Sequence, residues 1–450
     1  MHEHVIGTTP TDAPGPAQAG GGRMTPATGG PPPAHPAGTS AGIPAGSGPE
    51  AAPAAAPDRA RIVRMDALRG FALLGILLVN ITYLASAYHG TGLEDPGFDS
   101  ALDTGVRYAT AILFEAKFFL LFSFLFGYSF TLQLNSAERA AARFTPRFLR
   151  RLTALFVLGV CHAVLLFPGD ILTTYAVLGL ILLAVRRVQP RTAVRIAVAL
   201  FVLTALGYAL LALAQHLSGG GGLDPAATAD RARAATEALR GDAGSVIGAH
   251  LRQLPDVVFL LVFFQAPAAF AAFLLGLAAS RHGVMERLAD HEQALRRIQW
   301  TGFPVGLAGG AVYAHASLEH PGSSYQLLAL GVDVATAPLL AAAYAATVLR
   351  LVHPGRARRT AALLAPAGRM TLTNYLGQSL ICALLFTGYG AALVGRVPPL
   401  PVVGIALALF LCQALASRRW LRRHPYGPVE WLLRAVTNAT RPPWRKPDAP

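Results

Sequence analysis

The chain has 450 residues, 53% of them hydrophobic and 14% charged, with a net charge of +14 and a mean hydropathy of +0.44. Soluble domains carry about 25% charged residues, so the composition excludes an ordinary soluble protein and marks an integral membrane protein. All basic residues but Lys117 and Lys446 are arginine; they lie beside apolar spans, which reads as membrane topology and not as a nucleic-acid partner.

Residues 1–60 are rich in Pro, Ala and Gly and poor in large apolar groups. Such a segment cannot bury enough surface to offset its ordering entropy, which predicts a disordered cytoplasmic tail. It lacks a charged n-region followed by an apolar h-region, so it does not read as a signal peptide. His2, His4 and His35 are too sparse for a metal tract. The Ala, Gly, Pro and Arg excess fits a GC-rich, actinobacterial-type genome.

Residues 61–437 read as a transmembrane bundle, with 278–437 as its C-terminal part and 438–450 as a flexible tail. About ten apolar stretches have spanning length. They cover 68–88, 114–134, 149–167, 170–185, 195–216, 255–280, 301–317, 326–349, 371–393 and 400–417. The segment 101–134 is too long for one perpendicular span, so its first part is expected as an external interfacial helix. Arginines cluster in alternate connections: Arg139, Arg143, Arg147, Arg150 and Arg151, then Arg186, Arg187, Arg191 and Arg195, then Arg281 and Arg287, then Arg356, Arg358 and Arg359. The intervening "GLEDPGFDSALD" has no Lys or Arg. The positive-inside rule then places both termini in the cytoplasm. The external 217–254 loop contains "DPAATADRARAATEALRGD", which predicts a short mixed-charge helix. The fold class is an all-α polytopic transmembrane bundle.

Polar groups inside the apolar spans are expensive and are candidates for function; the alternative is interhelical hydrogen bonding. In "RMDALRGFALLGILLVN", Asp66 and Arg69 are three residues apart and share a helix face. Asn80 lies eleven residues beyond Arg69, about three turns, on the same face and roughly 16 Å higher. This helix therefore presents a lower and an upper polar station to the bundle. Arg369, Asn374 and Tyr375 of "GRMTLTNYLGQS" and Glu430 of "YGPVEW" are expected at the lower one. Lys117, His162 and Asp170 are expected in the outer half, Asp170 just after the helix-breaking Pro168 and Gly169. Lys117 departs from the arginine bias, and Asp170 is its expected partner, because Glu115 is two residues away and faces elsewhere. His162 is a candidate general base, the role histidine side chains most often take near neutral pH, or is a satisfied buried histidine. His89, after the first span, is a second candidate base.

Cys161, Cys382 and Cys412 sit in apolar segments without CxxC spacing, so neither a metal site nor a disulfide framework is expected. No P-loop, dinucleotide fingerprint, HExxH or GxSxG is present, and "SGGGGLDP" opens no phosphate-holding helix.

Five blocks in order resemble the YeiB-like family of bacterial membrane proteins: "MDALRGFALLGILLVNI", "EAKFFLLFSFLFGYSF", "LGVCHAVLLFPGDILTTYAVLGL", "GRMTLTNYLGQSLIC" and "GPVEWLLR". The C-terminal part of that family is a domain of unknown function, number 418. The first block is also distantly similar to the opening of transmembrane acyltransferases. In that group the Asn ending this helix and a later His serve acyl transfer from acetyl-CoA. Asn80 matches the Asn, whereas His89 stands closer to it than the group's pattern has it. The resemblance implies acyl transfer from cytoplasmic acyl-CoA, with no covalently bound cofactor, to an acceptor at or outside the membrane. His162, Asn80, Asp170 and Lys117 would then be catalytic, and Asp66, Arg69, Arg369, Asn374, Tyr375 and Glu430 would bind the donor. A small-molecule transporter or exporter, or a non-enzymatic membrane protein, is the alternative; the expected partner in every case is the plasma-membrane bilayer.

Overall fold

The computed structural model describes residues 56–93, 95–139, 143–219, 224–352 and 358–447, with side chains from residue 61 onward except at 289 and 358. The predicted N-terminal tail lies outside the described residues up to 55, and its end already belongs to the first helix. Every regular element described is helical. In chain order these are α1 (Ala56–Ala85), α2 (Ala101–Leu113), α3 (Lys117–Arg139), α4 (Phe144–Leu165), α5 (Leu172–Ala184), α6 (Pro190–Leu217), α7 (Pro225–Arg240) and α8 (Ala243–Leu260). A π-helical turn, Leu261–Gln265, joins α8 to α9 (Ala266–Arg281). Then follow α10 (Glu292–Glu319), α11 (Ser324–Leu351), α12 (Arg358–Arg369), α13 (Thr371–Phe386), α14 (Pro399–Arg423) and α15 (Pro428–Asn438).

Each expected span coincides with a helix, but not all are equally fit to cross a bilayer. Among the described residues, seven stretches are long and apolar enough. The helices α5 and α13 are apolar but have only 13 and 16 residues. Helix α10 is long, yet Gly302, Pro304, Gly306 and His315 dilute its hydropathy. The overlong 101–134 segment is broken between α2 and α3, where Ala116 adopts φ 63°. Asp224 and Asp242 accept backbone N–H groups at the starts of α7 and α8, so the mixed-charge helix forms as expected and α8 begins well before residue 255. Helix α13 stops at Phe386, short of 393, because the following turn is docked: Gly388 N donates to Leu239 O at 2.8 Å.

Helix α1 is the centre of the bundle and packs on α3, α12, α13 and α14. Its apolar window is 61% buried, against 22% for α6. Leu68, Leu73, Leu77 and Ile81 are enclosed, whereas Val198, Val202, Leu206 and Leu210 of α6 are exposed and form a face for lipid. Helices approach most closely where glycine stands at the crossing. A Cβ on Gly368 would lie 1.8 Å from Asp66 O, and one on Gly70 would lie 2.1 Å from Leu364 O. This pair of contacts locks α12 against the end of α1 that carries Asp66 and Arg69.

The segment after α15, expected as a tail, packs back on the bundle. Trp444 packs edge-on against Trp420 and Trp431. Lys446 donates to the carbonyls of Arg423 at 2.9 Å and Leu421 at 2.6 Å, satisfying the free end of α14.

Candidate functional site

The strongest constellation is built from three helices. Pro168 and Gly169 end α4 shortly after His162 and turn the chain back, so that Asp170 faces the helix it has just left. Gly159 makes this possible: a Cβ there would lie 2.6 Å from Asp170 Oδ2. Asp170 Oδ2 accepts the Thr173 amide at 2.8 Å, which caps the first turn of α5. Its Oδ1 lies 2.9 Å from His162 Nδ1. On the other side of the ring, Nε2 lies 2.8 Å from Ser379 Oγ of α13. His162, Asp170 and Ser379 are 2%, 1% and 3% exposed.

The contacts suit one tautomer: an Asp170 carboxylate that takes the Thr173 amide on Oδ2 has Oδ1 as acceptor for an Nδ1–H of His162. Nε2 then presents its lone pair to the Ser379 hydroxyl. Among the described residues the other acceptor near that hydroxyl is Tyr375 O, at 3.4 Å. This is the arrangement of an Asp-oriented histidine base acting on a serine hydroxyl.

A small cavity adjoins Ser379 and is also lined by Asn80, Tyr375 and Gln378. Asn80 makes no side-chain hydrogen bond among the described residues. Gln378 donates to Gln413 at 2.9 Å, but its Oε1 is buried and unpaired. The Tyr375 hydroxyl approaches the Ile171 backbone without the geometry of a formed hydrogen bond. Polar atoms buried without partners are costly in an apolar interior. Two of them, Gln378 Oε1 and the Tyr375 hydroxyl, stand around one cavity, with the half-buried Asn80 amide beside them, and point to an occupant.

Sequence reasoning expected Asn80, Lys117, His162 and Asp170 at one station; the structure pairs His162 with Asp170 and sets Asn80 on a cavity it shares with Ser379, the hydroxyl partner of His162. It separates Lys117 from them. Lys117 Nζ lies 2.8 Å from Asp333 of α11, not beside Asp170, and the pair is 0% and 4% exposed. The backbone turn at Ala116 sends Lys117 into the core and Glu115 into a second, larger pocket. There Tyr313 OH donates to Glu115 at 2.8 Å. His89 Nε2 stands 3.3 Å from Glu115 Oε1, without hydrogen-bond alignment. His89 thus belongs to a distinct pocket that Asp95, Arg107 and Ser317 also line.

Tyr375 is corrected in position: it reaches the His162 end, with ring centroids 5.0 Å apart. At the other end Asp66 pairs with Arg69 at 3.0 Å, and Arg69 also donates to Ser129 Oγ at 2.7 Å. Arg369 lies within electrostatic range of Asp66, but its guanidinium is exposed and donates to Pro425 O at 3.0 Å. Glu430 is committed to the fold: it accepts the Leu372 and Thr373 amides at 2.6 and 3.0 Å, placing an anion at the start of α13. Asn374 holds Ala367 O at 3.1 Å and Ser417 Oγ at 3.0 Å. Gln413 joins Gln378 to Asn374 O, at 3.1 Å for the second bond, so a hydrogen-bonded ladder links the two polar ends.

Two residues escaped sequence reasoning. Ser379 was legible in hindsight, because it continues the helical-period polar face of Thr371, Asn374, Tyr375 and Gln378. Arg151 looked like one more topology arginine. It sits among Arg69, Arg434 and Glu430, and its buried Nε has no partner.

The family model described as "Protein of unknown function (DUF418)" matches residues 279–440. Uncharacterized protein YxaH of Bacillus subtilis (strain 168) is 34% identical over 391 residues, which is 84% of this chain and 94% of that protein. An uncharacterized 39.9 kDa protein in the amylase 3' region of Bacillus acidopullulyticus is 30% identical, with coverage of 84% and 94%. Uncharacterized protein YeiB of Escherichia coli (strain K12) is 28% identical, with coverage of 84% and 96%. No solved structure matches the chain.

Proposed function

The chain belongs to the YeiB-like DUF418 family, and we propose that it is a membrane acyltransferase. His162 is the general base and Asp170 orients it. Asn80 is the donor toward the oxyanion that develops as an acyl carbonyl is attacked. The observation that carries this reading is His162 held between Asp170 and a hydroxyl beside a cavity with unpaired polar walls.

In this reading the arginine-rich connections face the cytoplasm, as do both termini. The phosphates of an acyl-CoA bind among Arg69, Arg151 and Arg434, with Arg151 replacing Arg369 in the set expected from sequence. From Arg69 to Asn80 the rise is roughly 16 Å, a distance for a flexible thioester arm. The acceptor approaches through the open pocket at the opposite end.

The test uses the purified full chain in nanodiscs with acetyl-CoA as donor. Release of CoA is expected, falling at least about 10²-fold in His162→Ala. A wild-type protein that neither binds nor consumes acetyl-CoA overturns the reading.

A second reading follows from the size of the open pocket. There His89, beside Glu115, is the base. His89→Ala would then lose activity while His162→Ala kept it.

A further inference from the structure

Resting on the acyl-transfer reading, we infer that Ser379 is the nucleophile and that the reaction passes through a covalent acyl-serine formed from a short-chain acyl donor. A base alone would need only to face the acceptor. Here Nε2 is already in contact with a hydroxyl of the chain itself, at 2.8 Å. Ser379 itself lines the cavity.

The surroundings divide the remaining tasks. The Asn80 side chain has no hydrogen-bond partner among the described residues, so its amide hydrogens are free for an oxyanion. Gln378 has spent an amide hydrogen on Gln413, which leaves Oε1 to accept a hydrogen from the incoming acceptor. The apolar wall is Leu77, Ile81 and Leu84. The cavity is small, so the acyl group it serves is short, an acetyl or similar, and not a long fatty chain. Burial of Ser379 at 3% exposure keeps bulk water from hydrolysing the ester before the acceptor arrives.

The step balances without any further reactant. The Ser379 proton passes to His162 Nε2 as the Oγ–C bond forms, and the carbonyl electron pair moves onto oxygen beside Asn80. Collapse of that oxyanion breaks the C–S bond of the thioester. The departing thiolate takes the proton from the imidazolium. In the second half an acceptor hydroxyl or amine gives its proton to Nε2 and attacks the acyl-serine. Ser379 leaves with that proton, and the acyl group is on the acceptor.

The experiment is acid-quenched incubation of the nanodisc-embedded full chain with radiolabelled acetyl-CoA, followed by digestion and peptide mass spectrometry. Acetyl is expected on the peptide that contains Ser379. It should be absent from Ser379→Ala and strongly reduced in His162→Ala. Ser379→Cys, which keeps size and nucleophilicity, should carry the acetyl as a hydroxylamine-labile thioester. Thermal unfolding of each variant identifies any that fail to fold, and the cysteine variant then decides. Continued CoA release by folded Ser379→Ala at a rate within about threefold of wild type, against the 10²-fold or greater loss of a missing catalytic group, overturns the covalent step. Direct transfer would remain. Absence of donor consumption by the wild type overturns the acyl-transfer reading beneath it.

Discussion

Asp170 separates a structural role from a chemical one, because its two oxygens serve different partners. In Asp170→Ala the Thr173 amide loses its cap and His162 Nδ1–H is left buried without an acceptor. A lost cap costs about 1 kcal/mol and an unpaired buried donor about 1–3 kcal/mol, so destabilisation of about 2–4 kcal/mol is expected. Asp170→Asn is different. Its one amide oxygen stays on Thr173, and its NH₂ group faces Nδ1. The imidazole must then move its hydrogen to Nε2 and become a donor toward Ser379. Folding should lose no more than about 1.5 kcal/mol, the net value of a typical hydrogen bond. The transfer rate should fall about 10⁴-fold, the size of the equivalent tautomer error in a serine hydrolase. Thermal unfolding in nanodiscs, the ¹⁵N shifts of the His162 ring and CoA release measure the three quantities. An Asp170→Asn protein with the wild-type tautomer and rate refutes the assigned proton positions. An Asp170→Ala protein as stable as wild type refutes the packing argument.

Breaking the buried Lys117–Asp333 pair with Lys117→Met should cost about 3–5 kcal/mol, because Asp333 is left uncompensated. The double variant Lys117→Met/Asp333→Leu should recover most of that loss in the same unfolding assay, and strictly additive losses would contradict the pairing. Gly368→Ala forces a methyl against Asp66 O and should destabilise by about 1–3 kcal/mol, measured as a lowered Tm; an unchanged Tm would mean that α1 and α12 do not cross so closely. In a background lacking Cys161, Cys382 and Cys412, Asp95→Cys and Ala226→Cys should react with a membrane-impermeant maleimide on intact cells, and Arg187→Cys only after lysis. Labelling of Arg187→Cys from outside would invert the proposed topology.

What the sequence determined by itself is local. Apolar length marked the spans, and Pro168 with Gly169 marked the end of α4. Asp224 marked the start of α7, and spacing paired Asp66 with Arg69. Each of these depends on residues a few positions apart, where helix geometry settles which groups meet. Helix rise also put Asn80, Lys117, His162 and Asp170 at comparable depth, but depth is only one coordinate. Which helices adjoin, and how each is rotated, depends on close packing between distant segments. Gly70 and Gly368 bring α12 against α1. Gly159 admits Asp170 to the flank of α4. Ala116 turns Lys117 toward α11. The decisive contacts therefore span the chain: Lys117 finds Asp333 across 216 residues, and His162 finds Ser379 across 217. The glycines that admit such approaches carry no side chain that signals a partner. The serine became a candidate nucleophile only when packing set it against the histidine, since neither residue in isolation specifies the orientation of the other's helix.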